Sequence, residues 1–153
     1  MGTPDEVYRR PGNLFVAGFV GSPPINRIPL SRNERGHLAG GPFALHAPSG
    51  LDGATLGVRP EDLAVAAAGN GDPTEADDFR ANVLRVEALG SEQRVHLDGP
   101  GEAGWVARAS PARRVAPGDR VSVSVAWERS HLFGPHGRRE EAAPRPIRQR
   151  GSR

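Results

Sequence analysis

Five histidines, His37, His46, His96, His131 and His136, are the side chains here best suited to hold a metal or carry a proton. A helical metal site needs His at i and i+4 with a Glu between, and thiolates serve elsewhere. No His pair has that arrangement and the chain has no Cys. Structural or solvent-facing imidazoles are therefore expected, with no metal site. Gly99-Pro-Gly-Glu-Ala-Gly104 fits G-x-G-x-x-G, but such a loop holds phosphate only where it opens a helix with free N–H groups. Trp105-Val-Ala-Arg108 reads as a strand, so these glycines predict a hairpin loop. No G-x-S-x-G elbow offers a serine nucleophile. The 20 basic residues are all Arg, which leaves no Walker lysine and no Schiff-base amine. Acidic residues are scattered, and pairs such as Asp119-Arg120 read as surface turns. No catalytic residue and no cofactor site emerges.

The elements that would position these residues are short. Gly and Pro number 20 and 15 in 153 residues, almost twice their usual share of about 12%. Thr3-Pro4-Asp5-Glu6 forms a capping box that starts a helix stopped by Pro11. Asn13 caps a second helix, Leu14–Val20, ended by Gly21. That helix is apolar nearly all round, with Phe15 and Phe19 on one face, and needs a surface to lie against. Ser22-Pro23-Pro24 switches the chain to extended structure. Residues 31–55 offer only weak strands, at Phe43–His46 and Ala54–Val58. Arg59–Leu63 reads as a turn or one helical turn, and Gly69–Pro73 as a loop. A long strand is predicted over Phe79–Ala88, followed by strands over Gln93–Asp98, Gly104–Ala109 and Arg120–Glu128. In the last, Val121, Val123, Val125 and Trp127 share one face, and His96 lies opposite Val95 and Leu97. Short strands with Gly/Pro turns every ~8–12 residues predict a small barrel or sandwich.

The sequence pI is 10.3, yet the charge is concentrated at one end. Residues 138–153 carry six Arg against Glu140 and Glu141, so the tail is +4 and residues 1–137 are −2. The tail lacks apolar periodicity and is expected to be disordered. An acidic body works against phosphate-backbone binding, and Trp127 sits on the parity of buried valines. No run of ~18 apolar residues is present to span a membrane, and no signal-peptide layout opens the chain. The chain reads as soluble.

Four blocks, in order, carry a resemblance. Residues 2–11 lead into Asn13–Asn26, ending Gly-Ser-Pro-Pro-Ile-Asn; then come Leu56-Gly-Val-Arg-Pro-Glu-Asp-Leu63, Val86-Glu-Ala-Leu-Gly-Ser-Glu92 with Val95-His96, and Pro117-Gly-Asp119 with His131-Leu-Phe133. Together they resemble ATP-binding subunits of sugar-type ABC importers, from the end of the ATPase domain through the transport-associated OB (TOBE) region. The resemblance implies a mainly β fold of small OB-like (MOP/TOBE-type) barrels preceded by short helices. Residues 1–22 would close the ATPase domain, 23–137 form the β region, and 138–153 the tail. The P-loop, signature motif, Walker B strand and switch His would all precede residue 1, and ATP and Mg2+ would belong to that domain. The apolar helix Leu14–Val20 fits this reading, because its cover would be the ATPase domain.

The function so implied is regulatory and dimer-stabilising, within carbohydrate import and without ATP hydrolysis by this chain. Its partners would be the ATPase domain, a second copy, and a regulatory protein or small effector. Nucleic acid is not expected, and the membrane is met only through permease subunits, which places the chain at the cytoplasmic face. The matching positions are Gly21, Ser22, Pro23 and Asn26 at the junction. In the body they are Arg59, Pro60, Glu61, Glu87, Gly90, Glu92, His96, His131 and Phe133. Two other functions compete: a standalone module for an oxyanion or small ligand, and an OB-type single-strand binder.

Overall fold

The structure is a computed structural model describing residues 24–46, 51–68, 78–101, 103–140 and 144–147. Its strands are β1 (Asn26–Pro29), β2 (Ser31–Arg32), β3 (Leu38–Gly40), β4 (Phe43–His46), β5 (Thr55–Val58), β6 (Leu63–Ala67), β7 (Phe79–Ala88), β8 (Gln93–Leu97), β9 (Trp105–Ala109), β10 (Arg120–Val125), β11 (His131–Phe133) and β12 (Arg145–Pro146). Single 3-10 turns occupy Pro60–Asp62 and Trp127–Arg129. The strands form three antiparallel sheets, ordered β6-β10-β7-β8-β9, β1-β5-β11 and β12-β4-β3-β2. The five-stranded sheet curls until its edge strands β6 and β9 approach each other, giving an OB-like half-barrel. The expected N-terminal helices, and the loop at 69–73, lie outside the described residues.

Alternation makes the half-barrel. Val95 and Leu97 of β8, Trp105 and Ala107 of β9, and Val121, Val123 and Val125 of β10 point inward, while His96, Val106 and Ser124 between them are half-buried on the opposite face. One core joins all three sheets, combining Leu38, Phe43 and Leu45 with Ile28, Leu56 and Leu132 and with the barrel interior. At its centre Phe43 stacks on Trp105, 5.6 Å between ring centres, and meets Phe79 and Trp127 edge-on at 5.7 and 5.4 Å. Offset and edge-on contacts satisfy the ring quadrupoles.

Three expectations are corrected. The strand over Arg120–Glu128 ends at Val125, because Asp78 takes the chain end: its carboxylate accepts Val125 N at 2.7 Å and Trp127 Nε1 at 3.0 Å. In the weakly patterned stretch 31–55 the strands expected at Phe43–His46 and Ala54–Val58 are β4 and β5, but β2 and β3 stand where none was expected. Asn33 folds the chain over between them by accepting the N–H groups of Arg35 and His37, each at 3.0 Å, a side-chain turn that no hydrophobic pattern announces. The described residues of the tail pair with the body. Arg139 bridges Phe133, and Arg145–Pro146 pairs with His46–Leu45 at the edge of the small sheet. An open strand edge binds through backbone N–H and C=O groups, so the segment joins it without apolar periodicity.

β7 holds a further departure from regularity. Phe79, Ala81 and Val83 face inward, but the register with β8 slips between Val83 and Arg85, and inward pairing resumes at Val86 opposite Val95. Leu84 is the extra residue, 61% exposed. Such a bulge reverses which residues of a strand face out.

Candidate functional site

The predicted positions fall into two clusters and a junction, with Gly21, Ser22 and Pro23 outside the described residues. The first cluster is the outer face of the β7–β8–β9 ribbon. Beyond the bulge, Arg85 and Glu87 both face out, opposite His96 and Arg94, and Arg94 is opposite Arg108. His96 Nε2 lies 2.5 Å from Glu87 Oε1, with Arg85 Nη2 3.3 Å from the same oxygen. Glu92 Oε2 pairs with Arg108 Nε at 2.6 Å. The His96 hydrogen bond, reinforced by the charges of Arg85 and Arg94, holds the Glu87 carboxyl below the usual Glu range. Gly90, at φ +82°, makes the tight turn that returns the chain to Glu92. Four candidates thus share one hairpin, on a face where carboxylates and guanidinium groups are interleaved.

The second cluster surrounds β5 and β11. His131 is opposite Gly57 and Phe133 opposite Thr55. Arg59 is 2% exposed, Pro60 is buried and Glu61 exposed. Burial, with Arg139 and Arg59 nearby, lowers the His131 pKa to about 4, so its imidazole is neutral at ordinary pH. A side chain at Gly57 would approach Phe133 to 2.9 Å and Ile25 to 3.0 Å; glycine lets both rest against β5. Burial is likewise the main cause that raises the Asp62 carboxyl, with Glu61 adding to it. Ser130, beside His131, donates its hydroxyl to Trp127 O at 2.7 Å and is already engaged.

Asn26 is the junction. Its amide donates to Val106 O at 2.9 Å and accepts Val106 N at 2.8 Å, imitating a backbone pair. Trp105 Nε1 donates to Arg27 O nearby, at 3.2 Å. Together they fasten the three-stranded sheet to the half-barrel, so Asn26 is 7% exposed and bonded within the chain.

Arg85, Arg94, Arg108 and Arg139 were not among the sequence candidates. The one available sign was Val83-Leu84, two adjacent apolar residues interrupting the alternation of β7. Among the described residues no three His, Asp or Glu side chains converge as a metal site. Every described Phe and Trp is buried, so none of these rings offers the exposed platform on which single-stranded bases stack. The Gly99–Gly104 motif leads into strand β9 rather than a helix.

The sequence profile of the TOBE domain matches residues 56–133, just over half of the chain, and the chain belongs to that family. The matched span runs from β5 to β11 and holds both clusters. The chain is 38% identical over 152 residues to the xylose/arabinose import ATP-binding protein XacK of Haloferax volcanii, covering 87% of this chain and 36% of that one. It is 39% identical over 160 residues to the sn-glycerol-3-phosphate import ATP-binding protein UgpC of Cupriavidus necator, covering 93% and 41%. It is 39% identical over 150 residues to the alpha-glucoside transport ATP-binding protein AglK of Rhizobium meliloti, covering 90% and 39%. The chain therefore spans about two fifths of the length of these relatives. No helix among the described residues is long and apolar enough to cross a membrane.

Proposed function

We propose that the chain is the C-terminal regulatory and dimer-stabilising part of the ATP-binding subunit of a sugar-type ABC importer. The observation that carries this reading is the TOBE match across both polar clusters, within alignments to import ATP-binding proteins that take in most of this chain. Residues 1–22 would meet the ATPase domain, 23–137 carry the regulatory surface, and the Arg-rich 138–153 follow. The chain works by geometry. Two copies joined through their β regions raise the effective concentration of the attached ATPase domains for each other. A regulatory protein or small effector shifts the open and closed arrangements by binding them unequally, and the β7–β8 ladder, with the exposed Glu61 beside the buried Arg59, is the surface offered to it. The assembly sits at the cytoplasmic face of the membrane, reaching it through permease subunits. The chain has no Walker lysine and hydrolyses no ATP.

Analytical ultracentrifugation of the purified chain, with an ATPase assay on the same sample, tests this reading. A reversible monomer–dimer equilibrium without ATP turnover is expected. ATP turnover by the chain overturns the assignment, and a monomer persisting to high micromolar concentration overturns the dimer-stabilising role.

A further inference from the structure

The small sheet β12-β4-β3-β2 brings together two histidines that are nine residues apart. β3 and β4 pair with Leu38 opposite Leu45, and both leucines are fully buried. The next residues outward, His37 and His46, therefore lie side by side on the solvent face. Their ring centres are 5.6 Å apart, with the planes at 73°. Two imidazoles chelating one tetrahedral ion, with Zn–N bonds of about 2.0–2.1 Å, hold their ring centres about 5 Å apart. The observed separation is close to that value. The backbone at both positions is pinned: Asn33 and His37 exchange bonds at 2.9 and 3.0 Å, and Ile147 N donates to Ala44 O at 2.7 Å beside His46. Rings on a fixed backbone lose little freedom when they bind.

We propose that His37 and His46 form a two-histidine site for a borderline divalent metal, with Zn2+ as the reference ion. Imidazole nitrogen suits Zn2+, Ni2+ and Cu2+ over Mg2+ or Ca2+. Two coordination positions remain for water or for a donor from a partner. Bound metal ties β3 to β4 and stabilises the small sheet by linkage. Arg145, opposite His46 on β12, puts a cation beside the site and weakens it. The helical i, i+4 rule cannot find this site, because sheet register and not sequence spacing sets the distance. The inference stands apart from the transporter assignment, since it rests on residues outside the TOBE match.

ZnCl2 is titrated into the whole chain by calorimetry in a non-coordinating buffer, with thermal unfolding followed in parallel. One saturable site and a raised Tm are expected. His37→Gln and His46→Gln should each abolish both effects, His136→Gln should leave them intact, and Arg145→Gln should tighten binding about twofold or more. Trp emission of each variant checks that the core is intact. As a readout independent of substitution, Ni2+ should broaden the C2–H resonances of two of the five imidazoles in the wild-type chain. Saturable binding that survives combining His37→Gln with His46→Gln, broadening centred on other histidines, or no saturable binding up to millimolar Zn2+ overturns the proposal.

Discussion

Single polar side chains do much of the joining between elements. Asp78 is half-buried and accepts two N–H groups, from Val125 and the Trp127 indole. Asp78→Ala leaves both donors without a charged acceptor, and urea unfolding should show a loss of about 2–3 kcal/mol. Gly104 sits at φ +68°, where a Cβ would come within 2.3 Å of Leu97 O. Gly104→Ala combines backbone strain with a clash against backbone, and its unfolding midpoint should fall by the equivalent of about 2–4 kcal/mol. His131 gives a pH dependence of definite sign. Its folded pKa is about 4 against an ordinary 6.5, so between those values the unfolded chain takes up the proton more readily. Stability from this group is complete above pH 6.5 and drains away as pH falls toward 4. His131→Gln removes that titration, and urea midpoints at pH 7.5 and pH 5 should differ less in the variant than in the wild type.

At the scale of elements, the bulge in β7 decides which chemistry reaches the surface. Without the extra residue at Leu84, the inward phase of Phe79, Ala81 and Val83 would carry Arg85 and Glu87 into the barrel. With it, both stand outside beside His96. The bulge also separates two neighbouring apolar residues energetically. Leu84 is 61% exposed and Leu97, paired with Val83, is 1% exposed. Leu84→Ala should change stability by no more than about 0.5 kcal/mol, whereas Leu97→Ala should cost about 2–5 kcal/mol, both measured by chemical denaturation. Equal costs would mean that Leu84 is covered.

For the molecule as a whole, the aromatic group at the centre joins the small sheet to the half-barrel, and the shared core should make them unfold together. Phe43 belongs to the small sheet, yet its ring contacts Trp105 and Phe79 of the half-barrel and Trp127 beyond β10. Phe43→Ala should cost about 3–5 kcal/mol. Tryptophan emission and far-ultraviolet circular dichroism should report one coincident unfolding transition in the wild-type chain. Separate transitions would show that the small sheet melts independently of the barrel.

Much of the fold follows from strong local signals in the chain. Alternation placed the strand expected over Gln93–Asp98, found as Gln93–Leu97, the inward face of Val121, Val123 and Val125, and the outward parity of His96, because period-two burial is a property of neighbouring residues. Gly and Pro placed the hairpin at Gly99–Gly104 for the same local reason. The family likeness, too, was carried by short blocks of residues. Only the tertiary structure decided what depends on partners distant in the chain. Asn26 turns its amide to Val106, the tail segment Arg145–Pro146 finds the free edge of β4, and His37 meets His46. Such pairings are set by sheet register and by which backbone edge remains open, and these arise only when remote segments pack together.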